Sequence, residues 1–204
     1  TVECSNCQTK TGVTSPFTDL SLPITNKTVS VSDAIDNFFS EECLQESTCA
    51  ECREKNSRTK KTTFSLPPLA LVVHLRRFAF NRQVTKCNSN ICASPTIQVP
   101  LSDGTSLSYH LNSFLVHHGS TATSGYYSSF VQQISNSSHP PSWHHADDNY
   151  VSSINAASIS AHANGTYLLF YSQTSPLPLS DPSTSHLLHQ LTHSPSSAIT
   201  KQAR

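Results

Sequence analysis

"FSLPPLALVVHLRRFAF" at 64–80 decides how the rest of the chain is read. Pro67 and Pro68 stop any element before them, and "LALVVHL" then runs apolar with β-branched residues and no helical period. The stretch reads as a strand buried on both faces, at the centre of a sheet. Such a strand needs partners, and the downstream sequence offers them. "LSYHLNSFLVHH", "GYYSSFVQQI", "WHHADD" and "TYLLFYSQ" are rich in β-branched and aromatic residues, and Gly, Ser, Asn and Pro join them. Between, 81–98 reads as polar and irregular, running into the short β-like "TIQVP".

Upstream, residues 1–62 hold two Cys-x-x-Cys pairs, Cys4/Cys7 and Cys49/Cys52. Between them "VSVSDAIDNFFSEE" predicts a short helix. Ser32 is its expected cap, Asp33 and Asp36 sit near the positive end of the dipole, and Ala34, Ile35, Phe38 and Phe39 share one face. Two such pairs place four thiolates within tetrahedral reach of one Zn²⁺ in a closed, structural site; the alternative is ordinary buried thiols. The long interval 8–48 is tolerable because loop closure costs grow only logarithmically with length. Cys43, Cys87 and Cys92 complete the seven cysteines and read as core or loop thiols.

The formal charge is zero, with 13 basic and 13 acidic residues, so no global field recruits nucleic acid or an acidic membrane. The local cluster Arg53, Lys55, Arg58, Lys60 and Lys61 reads either as a nucleic-acid contact or as a solvated face, and the neutral total favours the second. No run approaches the roughly 18 apolar residues of a membrane span. Paired cysteines suggest a reducing compartment, cytoplasmic or nuclear, while sequons at Asn26, Asn136 and Asn164 read as chance in a Ser/Thr-rich chain. After Tyr171 the composition turns to Ser, Pro, Thr and His, which predicts a disordered tail over 172–204. The chain starts at Thr1 and contains no methionine, which reads as a piece of a longer protein.

Taken in order, the two Cys-x-x-Cys pairs, "PFTDLSLPI", "VSVSDAIDNFF", "FSLPPLALVVHLRRF", "YHLNSFLVHHGS", "GYYSSF", "WHHADDNYVS" and "TYLLFY" resemble the C-terminal half of the ubiquitin-specific protease catalytic domain over about residues 1–171. The resemblance implies an α+β, papain-like cysteine protease hand: zinc-ribbon fingers at 1–62, a mostly antiparallel palm sheet at 63–171, and no counterpart here of the N-terminal thumb with its cysteine nucleophile. None of the seven cysteines sits in that nucleophile's sequence context. It further implies ubiquitin or ubiquitinated proteins as partners, and that 79–95 and 117–124 correspond to the loops beside the groove for the ubiquitin tail.

The family's general base is the histidine of a Gly-His-Tyr sequence, and the matching residues are Gly125, Tyr126 and Tyr127. Its orienting carboxylate follows a tryptophan and matches Asp147, with Asp148 beside it; Ala146 replaces the usual aromatic. A phenol titrates near ~10, so a tyrosine is a poor base at neutral pH where an imidazole serves. Loss of the base costs roughly 10⁴- to 10⁶-fold in turnover in a serine-protease triad. His117, His118, His144 and His145 are the candidate substitutes, and His145 and Asp147, two apart, would share a strand face; histidines that are merely solvent-exposed or packed on a strand are the favoured alternative. A hydroxyl at Tyr126 can bond Asp147 and keep the palm folded. Two functions remain open at this point: part of a deubiquitinating protease domain, inactive as given, or a non-catalytic ubiquitin-binding pseudo-protease or scaffold.

Overall fold

Along 70–76 burial alternates, and that alternation fixes the role of the opening stretch. The computed structural model describes residues 1–80, 84–121, 123–133, 142–162 and 164–174. In β6 (Ala70–Arg76) Leu71, Val73 and Leu75 are buried, whereas Val72 and His74 are only half-buried. One face therefore meets the core, which corrects the expectation of a strand buried on both. Nor is β6 central. It lies between the edge strand β3 (Leu20–Pro23), parallel to it, and β14 (Thr166–Gln173), antiparallel to it. The uninterrupted apolar run arises because Val72 faces Phe170 across the strands, on a partly covered surface.

The central strand is β10 (Ser106–His118), 13 residues long, whose register against β14 shifts between Leu111 and Ser113 and between Leu115 and Val116. On one edge it carries β14. On the other it carries first β9 (Thr96–Pro100), then β11 (Tyr126–Gln133). Beyond β11 follow β12 (Ser142–Asp147) and β13 (Tyr150–Ile154), giving an eight-stranded sheet. Phe114, Val116, Phe130, Trp143 and Leu169 project from neighbouring strands into one core. Fully burying each such side chain contributes about 1.5–3 kcal/mol. A short 3₁₀ segment, Ala156–His162, sets His162 against Phe130.

The helix α1 (Val31–Phe39) buries Val31, Ala34, Ile35 and Phe39 against that core. Its cap is Ser30, not Ser32. The Ser30 hydroxyl accepts from the Asp33 amide at 3.1 Å, and the Asp33 carboxylate accepts from the Ser30 amide at 3.0 Å. A capping box needs its acid three residues after the cap, and Asp33 meets that condition only for Ser30. Ser32 instead bonds Ser94.

A separate four-stranded sheet has the order β2 (Lys10–Thr11), β1 (Val2–Cys4), β5 (Lys55–Lys60), β4 (Glu42–Thr48). The chain between its halves leaves it: β3 and α1 join the large sheet and its core. Between β6 and β9, where the sequence reads as irregular, β7 (Phe78–Phe80) and β8 (Val84–Lys86) pair as a hairpin. The tail expected over 172–204 starts later than its composition suggests, because β14 runs on through Ser172 and Gln173; its remainder from 175 onward and the sequon at Asn136 lie outside the described residues.

Candidate functional site

Two places concentrate chemistry. The first is the end of the small sheet, where each Cys-x-x-Cys pair forms the same turn. The Cys4 amide donates to Thr9 O and the Gln8 amide to Cys4 O, at 3.1 and 2.9 Å; the Cys49 amide donates to Glu54 O and the Arg53 amide to Cys49 O, at 3.1 and 3.0 Å. Gln8 and Arg53 both adopt left-handed φ values, 58° and 59°. The repeated turn aims four sulfurs at one point, all within 4.8 Å of one another. Cys4 to Cys52 is 3.9 Å and Cys7 to Cys49 is 3.7 Å. Thiolates about 2.3 Å from one tetrahedral ion lie roughly 3.8 Å apart. Such separations are far too long for a disulfide, so the donor set fits a metal such as Zn²⁺.

A second observation agrees. The hydrophobic core cluster contains no residue of this small sheet. The sheet's ion pairs, Lys10–Glu3, Lys55–Glu46 and Lys60–Glu42, are solvent-exposed and contribute at most about 1 kcal/mol each. A bound ion would supply the missing cross-link. Cys43, Cys87 and Cys92 are not core thiols: Cys43 and Cys92 are exposed and Cys87 is half-buried.

The second place is the corner where β10, β11 and β12 end together. Cross-strand register pairs His118 with Tyr126 and His117 with Tyr127. Strand alternation puts His118, Tyr126, Ser128, His145 and Asp147 on the core side of the sheet and His117 and Tyr127 on the other. Tyr126 is 54% exposed, and its ring stacks on the His118 imidazole with centroids 4.6 Å apart. The second nitrogen of that imidazole, Nε2, lies 2.7 Å from the buried Ser128 hydroxyl. The expected bond from Tyr126 to Asp147 is not formed, nor does any of the four candidate histidines bond Asp147 among the described residues. His145 stacks on Phe130 at 4.5 Å with its Nε2 buried and unpartnered, and His144 bonds Gln133 and Ser142 on the opposite face. Asp148 stands apart from Asp147, exposed in the two-residue turn to β13 with φ 50°.

Burial dominates the electrostatics. It holds the His118 imidazole below its ordinary pKa; Asp147 works against that shift, while His145 and Lys86 reinforce it. Burial, then the charges His145 and His118 would carry, lowers His162; burial, Lys86 and His118 lower His117. The corner thus sets His118 beside Ser128 and His145 and His162 beside Phe130, with an exposed phenol at its rim. His162, Ser128 and Lys86 escape sequence reasoning, because only cross-strand register and the 3₁₀ segment bring them here. The turn entering the corner requires glycine. Gly119 and Gly125 have φ of 147° and 151°, and a Cβ on Gly125 would strike His118 O and the His117 ring.

Comparison with known proteins places the chain in a family. The sequence profile of the family described as "Ubiquitin carboxyl-terminal hydrolase" matches residues 4–171. Ubiquitin carboxyl-terminal hydrolase 23 of Arabidopsis thaliana is 32% identical over 178 residues, which cover 83% of this chain and 19% of that protein. Ubiquitin carboxyl-terminal hydrolase Usp2 of Drosophila melanogaster is 32% identical over 187 residues, covering 85% of this chain and 19% of its own length. Among solved structures, the yeast SAGA DUB module with an Sgf73 mutant superposes with a TM-score of 0.72 at 28% identity, over 85% of this chain and 39% of the matched one. The SAGA Ubp8/Sgf11/Sus1/Sgf73 DUB module bound to ubiquitin aldehyde superposes with a TM-score of 0.71 at 27% identity, over 85% and 40%. The chain therefore spans about a fifth of those two curated relatives. It belongs to the ubiquitin carboxyl-terminal hydrolase family and corresponds to a region of a ubiquitin-specific protease catalytic domain.

Proposed function

We propose that this chain is the fingers-and-palm part of a ubiquitin-specific cysteine protease hand and that, as given, it docks ubiquitin without hydrolysing its conjugates. Residues 1–62 supply zinc-ribbon fingers, with Zn²⁺ held by Cys4, Cys7, Cys49 and Cys52, and 63–171 supply the palm. The metal's contribution is structural: four protein thiolates leave no coordination position for water or substrate. The observation that carries the reading is the residue at the rim of the corner. Tyr126 stands where the family's base is expected, stacked on His118 and unbonded to Asp147. A base must hydrogen-bond both the nucleophile and its orienting carboxylate. Tyr126 does not engage Asp147, and His118 directs Nε2 to Ser128. On this reading the partner is ubiquitin or a ubiquitinated protein and the act of the residues described is binding.

Solved relatives include a DUB module bound to monoubiquitin and one bound to ubiquitin aldehyde, which supports ubiquitin as the partner class. The basic cluster after Cys52 gives a nucleic-acid role little support: Lys55, Lys60 and Lys61 pair with Glu46, Glu42 and Glu41. No helix among the described residues is long and apolar enough to cross a membrane. The test is a titration of labelled ubiquitin with zinc-loaded chain, alongside a fluorogenic ubiquitin substrate. Saturable binding without turnover is expected. Turnover by the purified chain would overturn the inactivity, and no saturation up to millimolar concentration would overturn the docking.

A further inference from the structure

The Lys86 ammonium crosses from the end of β8 to the end of β10, where it donates to His117 O at 3.1 Å and to Gly119 O at 2.5 Å. These two carbonyls flank His118. The cation thus grips the backbone on both sides of the residue whose ring stacks on Tyr126 and bonds Ser128. It does so at a cost, since among the described residues it meets no carboxylate, and both burial and the Arg77 charge oppose its ionised form. A partly buried cation with no carboxylate beside it is held by oriented carbonyl dipoles, which makes its geometry demanding.

The base of the same hairpin is tied down separately. Arg77, 1% exposed, donates from Nε to Thr166 O and from Nη1 to Cys87 O and Ser89 O. Phe78 of β7 packs on the His117 ring at 5.5 Å. On the far side of the turn, Gly119 and Gly125 approach so closely that neither has room for a Cβ. The turn cannot shift to compensate for a lost contact at Gly119 without moving Gly125 and, next to it, Tyr126.

We infer that Lys86 is a positioning residue: by clamping β8 to the carbonyls of His117 and Gly119 it fixes the His118–Tyr126 stack, and so shapes the rim of the ubiquitin-docking corner. The functional half of this inference rests on the ubiquitin reading above; the mechanical half does not. The experiment compares zinc-loaded wild-type chain with Lys86→Met and Lys86→Arg, reading amide hydrogen exchange residue by residue and ubiquitin affinity in the same samples. Lys86→Met should speed exchange at Gly119 and at Tyr126–Ser128 by on the order of tenfold, the scale of a lost charge-assisted hydrogen bond. Protection of Leu71–Leu75 should stay unchanged, Lys86→Arg should restore most of the lost protection, and ubiquitin should bind roughly tenfold more weakly to Lys86→Met. Exchange at the corner unchanged in Lys86→Met, or accelerated equally throughout the large sheet, would overturn the clamp. If Lys86→Met lowers the yield of folded protein, Lys86→Gln carries the same comparison. Corner exchange that responds as expected in a chain with no ubiquitin affinity at all would keep the clamp and remove the docking reading. Ubiquitin affinity indifferent to a loosened corner would remove the positioning role alone.

Discussion

At the scale of single residues, the histidines of the corner set a pH limit. His117, His118 and His162 are all held below the ordinary imidazole value, chiefly by burial. A depressed folded-state pKa means that the unfolded chain takes up the proton first. The stabilisation is therefore complete above the unfolded value of about 6.5 and is lost as pH falls through the folded values. The groups facing them are Lys86 from β8, His145 and Asp147 from β12, and Tyr126 from β11; Asp147 alone opposes the shift at His118. The thermal midpoint should be level from pH 7 to 8 and drop below about pH 6. His162→Gln, which removes one of the buried imidazoles, should flatten that drop, and thermal melts of both proteins across this range decide it. A drop just as steep in the variant would show that His162 is not one of the groups responsible.

Elements are held by local chemistry that packing then uses. The helix α1 has only nine residues, too few to persist alone in water. Its amphipathic face and its capping box must act together. Ser30→Ala removes the acceptor for the Asp33 amide and should cost about 1 kcal/mol of stability. Ser32→Ala, at the position the sequence pattern favours, leaves the cap intact and loses only the hydroxyl's bond to Ser94, the amide's bond to the same oxygen remaining. Urea unfolding of the two variants separates the positions; equal losses would mean that the capping box contributes nothing beyond the Ser94 contact. The strands follow the same logic. The first half of β10 pairs with β9 and its second half with β11, and its register against β14 shifts twice along the way, so a single strand joins three partners and ends with His118 at the corner.

Over the whole molecule, the two sheets draw stability from different sources. The large sheet owns the hydrophobic core, and the small one owns four converging sulfurs and exposed ion pairs. Removing metal with a chelator should therefore abolish amide protection in β1, β4 and β5 while β6, β10 and β14 keep theirs, and added Zn²⁺ should restore it. Exchange measured by mass spectrometry before and after chelation tests this directly. Cooperative loss of both sheets would mean that the metal centre supports the entire fold, and no loss in either would mean that the thiols hold no structural ion.

The sequence by itself determined whatever depends on residue type and short spacing. It gave away the strands of the second half, the helix, the family and the two Cys-x-x-Cys pairs, because alternation, apolar runs and tight turns are local properties. It misjudged β6, since a continuous apolar run looks the same whether a strand is buried on two faces or lies near an edge with Phe170 beside it. It overlooked β7, β8 and β13, which are short and stabilised by pairing rather than by composition. Only the tertiary structure decided that Tyr126 stacks on His118 and leaves Asp147 unbonded, that His118 reaches Ser128, and that Lys86 grips the carbonyls around it. Each of those contacts joins different strands, and register between strands is set by core packing and glycine turns rather than by any neighbour in the chain.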